Sequence, residues 1–277
     1  MFELPRERVE AAFRGLLELP DAALERPWRW RSSEQDVRYG LYRLHEVIGE
    51  SRSELDLDAM PAAWSSMAAQ ATAARWDLHG LLLGVTDIEQ APAAGEWSVR
   101  ETLSHLAAAQ RNWEWLAGWW LARARAGEPI PLEGPRPEER PAWLGPRDAD
   151  GTPDEIRRRI DRYADGSIAH LAELDRRGLL DTPVMWSRTA EVTIRFYPYR
   201  WAAHLREHTQ QIDRALLALG PRSELERVVR ILAAAYGELE GAALGVAESV
   251  ATEVLGTTAE SVARHADEVR QAALASA

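Results

Sequence analysis

Cysteine is absent from the 277-residue chain, which removes disulfides, iron–sulfur ligation, thiolate zinc sites and cysteine nucleophiles. Lysine is absent too, so all 33 basic residues are arginine, and Schiff-base chemistry and the phosphate-loop lysine go with it. No apolar run approaches the roughly 20 residues that span a bilayer, and the first residues, MFELPRERVE, lack an apolar signal core. A cytoplasmic protein with no membrane partner is the expectation. Positive charge is also short: 44 acidic residues give a net charge of -11, which repels a polyphosphate, so no nucleic-acid partner is expected.

What is present is alanine, leucine and three-to-four-residue apolar spacing, which predicts an all-α chain of six to eight helices. The spacing places helices at about 5–18, 34–55 and 62–84, the last after Pro61. Ser98 with Glu101 forms a capping-box pattern that starts a fourth helix running to about 126. Residues 127–151 carry six prolines and four glycines and read as a long crossover. Thr152-Pro153-Asp154-Glu155 opens a helix ending near Gly178. Val192 to Phe196 alternates like a short strand, Pro198 opens the next helix, and two more follow at about 223–249 and 258–275.

Three of the seven histidines have ligand spacing. His204 and His208, four apart, project from one helix face and suit one shared ion. His105 lies two turns inside the capped helix among Leu103, Leu106 and alanines, where an imidazole needs a hydrogen-bond partner or a ligand role.

The residues around them, Gly95-Glu96-Trp97-Ser98-Val99-Arg100-Glu101-Thr102-Leu103-Ser104-His105-Leu106 and Trp201-Ala202-Ala203-His204-Leu205-Arg206-Glu207-His208-Thr209-Gln210-Gln211-Ile212, resemble the DinB-like family of metal-binding four-helix bundles. The resemblance covers about residues 61–220. It implies that His105, His204 and His208 form an open three-histidine site for a divalent ion, zinc or nickel. It further implies a transferase in which the metal lowers the pKa of a low-molecular-weight thiol, bacillithiol or mycothiol, supplied as cosubstrate. Two other readings stand beside it: a non-catalytic metal- or ligand-binding stress protein, and a metallohydrolase, since His204-Leu205-Arg206-Glu207-His208 is formally an inverted zincin motif with Glu207 as base.

Secondary catalytic candidates are Glu101, Arg195, Tyr197, Arg200 and Gln211. Glu101 is one turn before His105 and is also accounted for by the capping box. Gln211 is nearly one turn after His208. Arg195, Tyr197, Tyr199 and Arg200 precede the histidine-pair helix, where a guanidinium can hold a carboxylate or simply face solvent. The cluster of Trp113, Trp115, Trp119 and Trp120 reads as packing ahead of ligand cage. His45, His79 and His170 lack partners at ligand spacing and read as surface or boundary residues.

Three segments are expected: a flank at 1–60, the metal-binding bundle at 61–220 and a second flank at 221–277. The flanks can be laid on the bundle as a second, damaged copy, in which residues 37–44 match 99–106 at four of eight positions and Arg43 takes the His105 place. Ser261 then falls at the His204 position and His265 at the His208 position. The expected partner is a small-molecule substrate, and the expected state a monomer or homodimer.

Overall fold

A computed structural model describes residues 2–30, 33–58, 63–144, 150–187 and 190–275. It is 73% helical, with eight long helices among the described residues: α1 (Glu3–Leu17), α2 (Val37–Asp58), α3 (Ala63–Leu82), α4 (Val99–Arg125), α5 (Pro153–Arg176), α6 (Phe196–Leu219), α7 (Glu224–Ala243) and α8 (Glu248–Ala275). The all-α expectation holds. Two hairpins depart from it, β1 (Pro27–Trp30) with β2 (Ser33–Asp36), and β3 (Pro183–Ser187) with β4 (Ala190–Thr193), each antiparallel. The first hairpin corrects a helix expected to begin at 34. Strand pairing there is set by Trp28 and Trp30 on one side and charged residues on the other, a period-two pattern too short to stand out. No described helix is long and apolar enough to cross a membrane.

Helix starts are fixed by side chains where the sequence says they should be. Ser98 Oγ accepts from Glu101 N at 3.2 Å while Glu101 Oε2 accepts from Ser98 N at 2.8 Å, and Thr152 with Glu155 repeats the arrangement at α5. A third box, Ser223 with Glu226, starts α7. Each satisfies amide groups that no helical carbonyl can reach, which stabilises by about 1 kcal/mol per cap.

The chain divides into two compact units, Met1–Val85 with Gly220–Ala277, and Thr86–Leu219. The histidine-bearing unit therefore begins at 86 and not at 61, because α3 packs chiefly on α7, beyond the histidine-pair helix. Small residues draw α3 and α7 together. A Cβ on Gly80 would stand 2.7 Å from the Arg230 Cα, and one on Gly237 would overlap the Trp76 side chain, so the two backbones approach more closely than side chains would allow.

In the first unit α1 and α2 pack on α7 and α8, burying Val9, Phe13, Leu16, Val37, Leu41, Leu44 and Ile48 with Val229, Leu232, Leu239, Leu255, Val262 and Val269. Its interior also holds charge. Glu240, 1% exposed, accepts from Arg6 Nε at 2.8 Å, Arg6 Nη2 at 2.6 Å, Arg75 Nη2 at 2.6 Å and Trp76 Nε1 at 3.1 Å. Four donors on one carboxylate offset the desolvation that would otherwise expel it. Burial, then the neighbouring Glu240 charge, pushes the Tyr236 hydroxyl far above its ordinary pKa. His79, read from sequence as surface or boundary, is fully buried here, its Nδ1 3.8 Å from Glu10 Oε1, while His45 is exposed and His170 partly so.

In the second unit α4 packs on α5 and α6. The crossover after α4 contains two short 3-10 turns, Pro137–Glu139 and Ala142–Leu144, as its prolines require. The β3–β4 hairpin links α5 to α6, and Ile194 N donates to Thr182 O at 3.1 Å across its base. That clamp delivers the chain into α6 with Tyr197 and Trp201 turned inward, 5% and 1% exposed.

Candidate metal centre

Within the second unit α4 and α6 bring His105, His204 and His208 together. His105 Nε2 lies 3.1 Å from His204 Nε2, and His208 Nε2 lies 3.2 Å from the same atom. Three imidazole nitrogens that close satisfy one another poorly: each contact needs a proton on one side, and His204 Nε2 has at most one to share between two neighbours. A cation between them removes the conflict. Metal–nitrogen bonds of about 2.0–2.1 Å place adjacent ligand atoms roughly 2.8–3.0 Å apart in an octahedron and roughly 3.3–3.4 Å apart in a tetrahedron, so the observed edges of 3.1 and 3.2 Å fall between the two and suit one ion with only slight adjustment.

Its surroundings keep His204 neutral, the state that binds metal. Burial first, then the fields of His208, His105 and Arg200, push His204 down to about 3. His208 is oriented from behind, since its Nδ1 lies 2.8 Å from Gln211 Oε1. That oxygen only accepts, so the proton sits on Nδ1 and the Nε2 lone pair faces its partners. Aromatic rings wall the group. Trp97 stacks on His208 at 6.4 Å and lies tilted 5.4 Å from His105, while Trp113 meets His204 edge-on at 5.1 Å and stacks on Trp201 at 6.0 Å.

Of the five secondary candidates, Gln211 is the one with a hydrogen bond to a clustered histidine. Glu101 is held in the Ser98 capping box. Arg195 pairs with Asp181 at 2.6 Å near the surface, and Arg200 meets Glu207 at 3.4 Å. Glu207 itself is 61% exposed, on the solvent side of α6, away from the position a zincin base would need. Tyr197 is buried, its hydroxyl donating to Met185 O at 3.4 Å, with its pKa raised by burial against a smaller lowering from Arg140. The tryptophans split: Trp113 touches His204, Trp120 packs edge-on to Tyr197 at 4.8 Å, and Trp119 lies beneath Arg123 at 5.2 Å.

A cleft of about 400 Å³ opens beside the centre, lined by His208, Gln211, Trp97, Glu96 and Arg214. Sequence reasoning passed over Arg214 and Glu96. Arg214 follows Gln211 by three and was in reach of the α6 face reading, whereas Glu96 sits in a loop with no period to reveal it.

A model of the DinB superfamily matches residues 6–212. The match begins far before residue 61, so it takes in α1 and α2 as well as the histidine helices. No curated protein and no solved structure matches the chain. The family match, three quarters of the chain, and the helical bundle with its histidine group agree: this protein belongs to the DinB superfamily.

Proposed function

We propose that the protein is a metal-dependent transferase that activates a low-molecular-weight thiol, bacillithiol or mycothiol, at His105, His204 and His208. The observation that carries this is the convergence of the Nε2 atoms at 3.1 and 3.2 Å at the edge of a polar cleft. When bound, a zinc or nickel ion would favour thiolate over thiol, which puts a nucleophile beside the cleft at neutral pH. The chain's own part is positional. The three imidazoles hold the ion, Gln211 fixes the tautomer of His208, and Trp97 and Trp113 limit water around the rings. Arg214 and Glu96, both on the cleft, offer one charge of each sign to the polar body of such a thiol. The absence of cysteine is compatible, since the sulfur arrives with the cosubstrate. We place it in the cytoplasm, as a monomer or homodimer, on the basis of its acidic, cysteine-free composition.

One observation tells against a metallohydrolase, which leaves a non-catalytic metal- or ligand-binding protein as the second reading. The group hydrogen-bonded to His208 is an amide, which carries no titratable proton, and Glu101 and Glu207 are occupied elsewhere. Thiolate attack needs no such base, but hydrolysis does. The deciding experiment incubates zinc- or nickel-loaded protein with bacillithiol or mycothiol and a panel of electrophiles. Conjugate formation by the native chain and its loss in His204→Ala are expected. Saturable thiol binding without conjugate establishes the second reading.

A further inference from the structure

A second cleft in the same unit, about 240 Å³, lies among α4, the crossover and the β3–β4 hairpin. Its walls include Trp113, Trp120, Trp186 and Tyr197, and two charged residues border it, Arg140 and Glu133. It has no share in the thiol-side cleft, which lies by His208. It nevertheless reaches the centre's neighbourhood, since Trp113 both lines it and meets His204 edge-on.

Its features point to a ligand. Trp186 and Trp120 both pack against Tyr197, at 5.4 and 4.8 Å, leaving flat aromatic walls that suit stacking or edge contact with another ring. Trp120 is 2% exposed, and its indole N–H finds no acceptor among the described residues. A buried donor left that way costs about 1–3 kcal/mol unless something accepts from it. Arg140 brings the cation. Its field lowers the pKa of the buried Tyr197 hydroxyl on the cleft wall, which places the guanidinium charge within reach of a bound carboxylate. The volume falls below the roughly 300–1,000 Å³ of drug-sized sites, which limits the occupant to one or two rings.

We propose that this cleft binds a small aromatic carboxylate, its ring between the Trp120, Trp186 and Tyr197 side chains and its carboxylate on Arg140, with a small turn of the buried Trp120 indole on binding that lets an oxygen accept from Nε1. As a binding site it stands apart from the reaction proposed above.

Calorimetric titration of the metal-free protein with 2-naphthoate tests it, with 2-naphthylmethylammonium as the cationic counterpart. One naphthoate per chain is expected, and the cation at least about tenfold weaker. Arg140→Ala, at an exposed position that leaves the core intact, should weaken naphthoate about tenfold. Trp120→Phe keeps a ring and removes the donor, and should weaken it about three- to tenfold. In the ¹⁵N spectrum the indole signal lost in Trp120→Phe should be the one that moves furthest on binding. No binding at millimolar naphthoate, equal binding of the cation, or affinity untouched by both substitutions would overturn the proposal. His204→Ala should bind naphthoate as the native chain does, so failed thiol transfer with retained binding counts against the reaction and not the cleft.

Discussion

The two compact units treat corresponding positions in opposite ways. In one, α4 and α6 point three imidazoles at a common centre. In the other, α2 and α8 carry Arg43, Ser261 and His265 where the register of the sequence would place those ligands. The local frame is alike. Asp36 Oδ1 accepts from Tyr39 N at 2.8 Å at the start of α2, as Ser98 accepts from Glu101 N at the start of α4. Tryptophans flank His265, Trp28 at 5.6 Å and Trp30 at 5.8 Å, as Trp97 and Trp113 flank the histidine group. Yet His265 Nε2 donates to Gly40 O at 3.0 Å, which commits the nitrogen that faces its partners in the other unit. Arg43 lies over Trp30 at 4.7 Å and pairs with Glu46. Similar helices and rings thus give a metal-ready centre in one place and a closed hydrogen-bonded, cation–π core in the other, and a handful of side chains makes the difference.

The sharpest break in this contrast is His204→Ala. Elemental analysis should fall from about one divalent ion per chain to background, because the α2–α8 positions supply no second site. Residual metal at half or more would mean that the first unit binds after all. Next in size, Glu240→Ala deprives Arg6 and Arg75 of the carboxylate they share. Denaturant unfolding should show a loss of about 3–5 kcal/mol. Metal content in the folded fraction should not change. A smaller effect is expected for Gln211→Ala, which leaves the three ligands in place and frees the His208 ring. Competition with a chelator should report metal affinity about 10- to 100-fold weaker.

The smallest effect concerns pH. Burial, set against the bond to Gly40, lowers the His265 pKa in the folded chain. The unfolded chain therefore takes up this proton first, near pH 6.5, where the folded one resists it. Stability from this group is complete above about pH 6.5 and declines as pH falls below it, by at most about 1.4 kcal/mol per pH unit. His265→Gln keeps a donor for Gly40 O and should flatten that part of the stability curve in the native-minus-variant difference. Parallel curves would show that His265 contributes nothing there.

Periodicity carried the long helices because their apolar faces repeat over about four turns or more, and capping pairs such as Ser98 with Glu101 marked their starts. It could not carry the hairpin at 27–36, four residues to a strand, nor assign α3. The apolar stripe of α3 says only that it needs a neighbour. That the neighbour is α7 follows from Gly80 and Gly237, single small residues whose meaning appears once the backbones meet. The histidine group was legible through spacing and local context, since i and i+4 share a face. The charged network on Glu240 was not, because Arg6, Arg75 and Glu240 come from distant helices and no local rule links them. Arg140 escaped for a similar reason, lying in a crossover without a period.

The buried carboxylate of Glu240 also sets a timetable for the growing chain. It lies 165 residues after Arg75 and 234 after Arg6. At about 5–20 residues per second on the ribosome, the interval after Arg75 is roughly 10–30 s. Until then α1, α2 and α3 must keep Arg6 and Arg75 hydrated, and the first unit cannot close its core. The segment from Thr86 to Leu219 is contiguous and emerges whole within that wait. Synthesis itself thus orders the assembly, with the histidine-bearing unit free to form before the two ends of the chain meet.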